Sequence, residues 1–369
     1  MLNMKYDIIG SFLRTQTLKD ALEAYSCGNL TQEQLTAVED AEVAKLVEKE
    51  TTHGLTCVSD GEYRRRYKHL DWLREFEGFM PLPEIREHHG HTHQVELGKI
   101  TGKISYDPNR RHPEIEAFDF LLKESKKHPG VDAKKCIPGP NMILVYHYLL
   151  MELRSTPFYG DNMNLLIDDI GTAYQAAIQD LYNHGCRCLQ IDDISWSYLI
   201  NEDFVRRIEG LGYEKEQFLD WFRRLSAKAL ENHPDDMLIA AHFCKGGCKG
   251  RLSQQVYSNV ASILSQLPYD GFFVEYDDER CGSFEPWSVL KGKDATFVAG
   301  LISTKNPELE NKDELKSQYE KIRSIVGEHV ALSTQCGFAC CDGDDCLDEE
   351  TQWKKIDLLT SCGEFISLA

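Results

Sequence analysis

Eight short apolar runs recur along the chain: Tyr6 to Ile9, Thr56 to Ser59, Lys134 to Ile137, Arg187 to Ile191, Met237 to Ala241, Gly271 to Glu275, Ala295 to Leu301 and Val330 to Thr334. Several lack strict alternation of apolar and polar residues, the pattern of a strand covered on both faces, as in a parallel sheet. Between them lie longer amphipathic or charged segments, Thr31 to Lys49, Asn162 to Tyr182, Asn201 to Leu230, Arg251 to Gln266 and Lys312 to Val326, which read as helices. Repeated strand, helix, strand units with right-handed crossovers predict an α/β fold, and eight of them satisfy closure of a (β/α)8 TIM barrel. A doubly wound open sheet is the alternative architecture.

The interval from Ser59 to Lys134 exceeds a normal barrel connection. Its segment PLPEIREHHGHTHQVELGKITGKISYDP reads as a loop and a β-hairpin, followed by a helix near Pro113 to Lys127. The expectation is one catalytic barrel domain over residues 1–369, with an insertion after the second strand, at approximately 74–130, covering the barrel mouth.

Charge removes several function classes. Lys and Arg total 41 against 60 Asp and Glu, a formal charge of −19, so phosphates are repelled over most of the surface and no nucleic-acid partner is expected. The opening residues lack the apolar region of a signal peptide, and no run approaches a membrane span, so a cytoplasmic protein with no membrane partner is expected. Thirteen scattered cysteines fit reduced thiols, and Cys57, Cys136, Cys186 and Cys188, in or beside strands, read as small buried hydrophobes.

Four residues suggest a metal. His242 and Cys244 flank one residue where a buried strand runs into a glycine-rich loop, Glu275 ends an apolar strand, and Cys336 follows Ala331-Leu-Ser-Thr-Gln at another strand end. Imidazole, thiolate and carboxylate are zinc ligands, and strand ends five, six and eight share the catalytic rim of a barrel. Each also has a bland reading: Glu275 as a helix cap or the partner of Arg280, His242 as a core histidine, Cys336 as an inert small residue. Cys248, Cys340, Cys341 and Cys346 offer thiols for a second metal but match no cluster signature. His88, His89, His91 and His93 read as an exposed loop.

Further rim positions fit a substrate. Glu62, in Asp60-Gly-Glu62, and Asp192, in Gln190-Ile-Asp192-Asp193, end the second and fourth strands, where two carboxylates can hold an amine. The competing reading pairs Glu62 with Arg64 to Arg66. Ser11 and Arg14, in Gly10-Ser11-Phe12-Leu13-Arg14, are placed to meet a substrate carboxylate. Trp196, Phe284 and Trp287 are candidate apolar walls.

The motifs GSFLR, SDGEYRR around Glu62, LQIDD around Asp192, HFC at His242 and Cys244, VEYDDER at Glu275 and the Cys-Gly pair at Cys336 together resemble the cobalamin-independent methionine synthase family, in its short single-barrel form. The resemblance implies catalytic zinc on His242, Cys244, Glu275 and Cys336, homocysteine held through its amine by Glu62 and Asp192, and methyl transfer to its sulfur to give methionine. It implies methyltetrahydrofolate as the small-molecule methyl donor. Two departures stand out. The N-terminal barrel half of the full-length enzymes has no counterpart here, and where those enzymes carry a histidine near the seventh strand this chain has Gly300-Leu-Ile-Ser303-Thr304-Lys305. Lys305 is the candidate acid in its place, and an ordinary lysine pKa near 10.4 would require burial or a positive field to serve. The alternatives are zinc-dependent alkyl transfer to another small thiol or from another donor, and a noncatalytic zinc- or thiol-binding protein.

Overall fold

A computed structural model describes residues 4–88, 91–244, 257–277, 281–339 and 346–368, excluding the side chains of 83–88, 91–96 and 259. Ten strands follow in chain order: β1 (Tyr6–Asp7), β2 (Cys57–Val58), β3 (Glu77–His88), β4 (His91–Ser105), β5 (Asp132–Pro138), β6 (Cys188–Asp192), β7 (Leu238–Phe243), β8 (Gly271–Glu275), β9 (Thr296–Ile302) and β10 (Val330–Thr334). Eight of them form one parallel sheet in the order β1-β10-β9-β8-β7-β6-β5-β2, and each coincides with one of the apolar runs. At the seam between β1 and β2 the Ser59 hydroxyl donates to the Gly10 carbonyl at 2.8 Å, and the Phe12 amide donates to the Gly61 carbonyl at 3.1 Å. The sheet is a nearly closed (β/α)8 barrel, as the repeat predicts.

Alternation along these strands builds the interior in layers. At the floor, the Lys134 ammonium donates to Asp7 at 2.7 Å and to the Ile8 carbonyl at 2.5 Å. Ile9, Ala240, Phe273, Val298 and Ala331 pack together above it as a separate apolar cluster. Two residues further along their strands stand Ser11, His242, Glu275, Gly300 and Ser333, with Asp192 paired in register to His242 and Glu275 to Gly300. Chemistry-bearing side chains therefore collect at the C-terminal mouth because an apolar layer fills the barrel beneath them.

The helices begin where capping side chains are available. Thr31 and Gln34 form a capping box at Gln32–Thr52, and Asn162 and Asn311 cap Met163–Asn183 and Lys312–Val326. The single helix expected over Asn201 to Leu230 is two, Glu202–Gly210 and Lys215–Ala229. Gly212 takes φ +88°, which stops the first, and a Glu214/Gln217 capping box starts the second. Of the helix expected from Arg251, residues 251–256 lie outside the described residues. The remainder is a 3₁₀ turn at Tyr257–Asn259 and a short helix at Ala261–Leu264. Among the described residues no helix is long and apolar enough to cross a membrane.

After β2 the chain leaves the barrel through the antiparallel β3–β4 hairpin and the helix Pro113–Ser125. The run from Pro81, expected to start as a loop, is strand. Pro81 and Pro83 are tolerated because a two-stranded ribbon leaves one side of β3 without a ladder to interrupt. Backbone at His88, His91 and His93 belongs to the hairpin rather than a loop, while His89 lies outside the described residues. The hairpin base packs into the main core through Phe79, Ile100 and Ile104. His147, fully buried in a π-helical turn at Val145–Leu150, accepts from the Ile100 amide at Nδ1 (3.1 Å) and donates to the Ser155 carbonyl from Nε2 (3.2 Å).

That pair of bonds needs neutral imidazole, and burial pushes the His147 pKa down to about 4. An unfolded histidine titrates near 6.5, so the stability held by this anchor is present above pH 6.5 and is lost as pH falls toward 4. Between pH 6.5 and 5.5 the urea unfolding free energy should fall by about 1 kcal/mol more in the wild type than in His147→Gln, which keeps both bonds without titrating. Parallel pH profiles for the two proteins would contradict the anchor.

Candidate metal centre and substrate cavity

His242 lies on β7, Cys244 just beyond it, Glu275 at the end of β8 and Cys336 two residues past β10. One ligand atom from each falls within 4.8 Å of the others, and all four side chains are buried. The Cys244 and Cys336 sulfurs are 3.7 Å apart. Two thiolates about 2.3 Å from a tetrahedral zinc stand about 3.8 Å apart, whereas a disulfide would need about 2.05 Å. The spacing excludes a disulfide and would fit two ligands to one ion.

His242 supplies a second fit. Its Nδ1–H donates to Asp192 Oδ1 at 3.0 Å, while the buried Nε2 has no hydrogen-bond partner among the described residues. A carboxylate on one ring nitrogen fixes the tautomer that leaves the other nitrogen's lone pair for a metal. Burial opposes a charged imidazole here, yet Asp192, with Cys244 and Glu275, holds its pKa up to about 9, so a metal must displace the Nε2 proton in order to bind. Asp192 is kept below its ordinary value: burial would raise it, but the His242 hydrogen bond and charge and a 2.7 Å bond from Gln190 outweigh that.

Close backbone approach lets these groups meet. A Cβ on Gly300 would lie 2.9 Å from Gln335 Cα, and one on Gly337 would lie 1.8 Å from Ser11 Oγ. Glycine is therefore required on both sides of the Cys336 turn.

A cavity opens from the Cys244 and Cys336 side of the cluster toward Glu62 and Asp192, and Ser11 forms part of its wall. Ligand-type atoms of Glu62, Cys136 and Asp192 lie within 4.8 Å of one another. Glu62 sits at φ +56°, directly after Gly61 at +63°, a conformation rare for a side-chain-bearing residue and concentrated at functional sites. Burial raises its pKa, with Arg65 opposing and Asp192 adding to the rise. Glu62 is ion-paired to Arg65, so the alternative pairing read from the sequence exists alongside its place in the cavity.

Other sequence candidates lie elsewhere. Arg14 does not line the cavity; its Nη2 donates to the Arg65 carbonyl at 2.7 Å. Trp196 is buried against Phe222, its indole N–H donating to Asp193 at 2.8 Å. Trp287 is enclosed by Phe243, Phe272 and Phe297, and Phe284 packs on Tyr276, so none of these three aromatics walls the cavity. Lys305 stands off the cavity, its ammonium 3.6 Å from Glu275 and 3.8 Å from Asp277. Cys248, Arg280, Cys340 and Cys341 lie outside the described residues.

Sequence reasoning missed His69 and Cys136, both of which line the cavity. Cys136 was grouped with inert thiols, although it stands two residues after Lys134 on a strand whose alternate positions face inward. His69 carried no signal, lying in an irregular turn ahead of the short helix Leu70–Leu73. Burial, with Lys68, pushes its pKa down to about 3, so it is neutral.

If Asp192 orients the imidazole, Asp192→Ala should weaken zinc binding by about 10- to 100-fold, whereas Glu62→Ala should leave it near wild type. Chelator competition measures both, and equal effects would contradict the Asp192 role.

No family profile matches the chain. A provisionally named vitamin-B12-independent methionine synthase from Listeria monocytogenes, solved by crystallography, superposes with a TM-score of 0.77 at 33% identity, covering 98% of this chain and 97% of that one. YxjG of Bacillus subtilis, described as uncharacterised, is 34% identical over 356 residues, 95% of this chain and 91% of its own length. A methionine synthase of Saccharolobus islandicus is 22% identical over 344 residues, 90% of this chain and 87% of its own.

Proposed function

The chain belongs to the cobalamin-independent methionine synthase family as a short single-barrel homologue, and on that footing we propose that it is a methyltransferase carrying a methyl group to the thiol of homocysteine, with zinc on His242, Cys244, Glu275 and Cys336 and methyltetrahydrofolate as donor. The observation that carries the reading is the juxtaposition of four convergent ligand atoms with a cavity that Glu62 and Asp192 line together. Zinc, when bound there, would supply the positive charge that lowers a thiol's pKa and keeps its sulfur nucleophilic at neutral pH.

The chain's own residues do the rest. Glu62 and Asp192 hold the substrate ammonium, which fixes the distance from amine to sulfur and favours an amine-bearing thiol over an uncharged one. Asp192 also holds the imidazole of His242, so the two ends of the substrate are positioned from one carboxylate. Ser11 presents its hydroxyl and backbone to the substrate's carboxylate. Glu275 is the hardest donor of the four and the one a sulfur can displace. Lys305, beside Glu275, is the cation that stands ready to balance that carboxylate. Proton delivery to the leaving amine of a folate donor is not assigned to Lys305, because its ammonium is turned toward Glu275 and Asp277.

Zinc-loaded protein given L-homocysteine and a panel of methyl donors, led by methyltetrahydrofolate with one and with several glutamates, should form methionine. Cys336→Ser should abolish that activity and lower the zinc content. No methionine from any donor would contradict the function, and normal zinc and turnover in Cys336→Ser would contradict the ligand set.

A further inference from the structure

Three consecutive arginines follow the strained Glu62 turn, and their environments differ. Arg64 is held by Asp40 at 2.5 Å and by Glu39 at 3.5 Å, and Arg66 by Glu39 at 3.5 Å, all from the helix Gln32–Thr52. Arg64 also lines the cavity but is held by that helix, whereas Arg65 pairs with Glu62. Its Nη2 also donates at 3.2 Å to the carbonyl of Ala339, whose amide N–H donates to Ser11 Oγ at 3.4 Å. The guanidinium therefore bridges the acidic end of the cavity and the loop that carries Ser11's partner.

The backbone of Arg65 is pinned, and its side chain is mostly buried. Its amide donates to the Glu62 carbonyl at 3.1 Å, and its carbonyl accepts from Arg14 at 2.7 Å. The side chain remains 20% exposed, enough for the planar fork to swing without moving the chain. An ammonium group that binds Glu62 must displace this guanidinium. A guanidinium displaced within this mostly buried wall is costly unless another anion takes it. An α-amino acid brings that anion on the carbon that bears its ammonium.

We infer that Arg65 is the specificity-determining residue of this site: it exchanges its ion pair with Glu62 for the α-carboxylate of the incoming substrate, so that only thiols with an intact amino-acid head group bind without stranding a charge. The inference rests on the homocysteine reading above and narrows it to zwitterionic thiols. A thiol with the amine alone competes with Arg65 for Glu62 and offers nothing in return. Arg14 acts as a positioning residue, since it holds the carbonyl of Arg65 and touches no substrate.

The test compares L-homocysteine with 3-aminopropane-1-thiol, which lacks the carboxylate, in zinc-loaded wild type, Arg65→Gln and Arg65→Lys. Arg65→Gln should lower the preference for homocysteine, as a ratio of kcat/KM values, by about 10- to 100-fold, with the loss carried by the KM for homocysteine rather than by kcat. Arg65→Lys, which keeps the charge without the fork, should fall between and serves as the readout if the glutamine variant does not fold. Calorimetry with L-methionine should show the same order of affinities. Equal loss on both thiols, or a fall in kcat with KM unchanged, would overturn the role of Arg65 alone. A wild-type protein that neither binds L-methionine nor uses homocysteine would overturn the function and this inference with it.

Discussion

One hydrogen bond, from His242 Nδ1 to Asp192 Oδ1, ties the metal end of this site to the substrate end. It exists because β6 and β7 pair in a register that sets Asp192 beside His242 on the inward face. Gln190, two residues earlier on β6, turns the carboxylate with its own bond. Asp192 thus orients an imidazole, and the substrate ammonium of the proposed function would add a demand that agrees with the first, because both favour an ionised carboxylate. Buried as it is, that charge is sustained only by its partners.

The barrel makes this economy of parts possible. Cys244 and Cys336 are 92 residues apart in sequence and 3.7 Å apart in space. No local motif could place them; the parallel strands do, by carrying each chain segment up from an apolar layer of Ile9, Ala240, Phe273, Val298 and Ala331 to the same rim. The helix Pro113–Ser125 is tied to the barrel by a 2.6 Å bond between Glu114 and Lys135, two residues that also line the cavity.

Much of this was legible in the sequence, for physical reasons. Buried parallel strands need apolar runs, and all eight were visible as such. Polar residues that interrupt or end those runs, His242, Glu275 and Asp192 among them, stand out because a core position would otherwise reject them. Arg14, Trp196 and Trp287 do not line the cavity, because direction beyond a strand end is set by turns that carry no periodic signal. The split at Gly212 followed from one left-handed residue inside an otherwise helical pattern. Arg65 could be named as a neighbour of Glu62, but which of three adjacent arginines pairs with it depends on Glu39 and Asp40, which hold the other two from the helix Gln32–Thr52.

Zinc-edge X-ray absorption of the metal-loaded protein, with and without L-homocysteine, tests the central claim most directly. The account predicts two sulfur neighbours at about 2.3 Å with two lighter ligands at about 2.0 to 2.2 Å, and a third sulfur replacing a lighter ligand when homocysteine is added. A first shell without the two sulfurs, or one that homocysteine leaves unchanged, would contradict it.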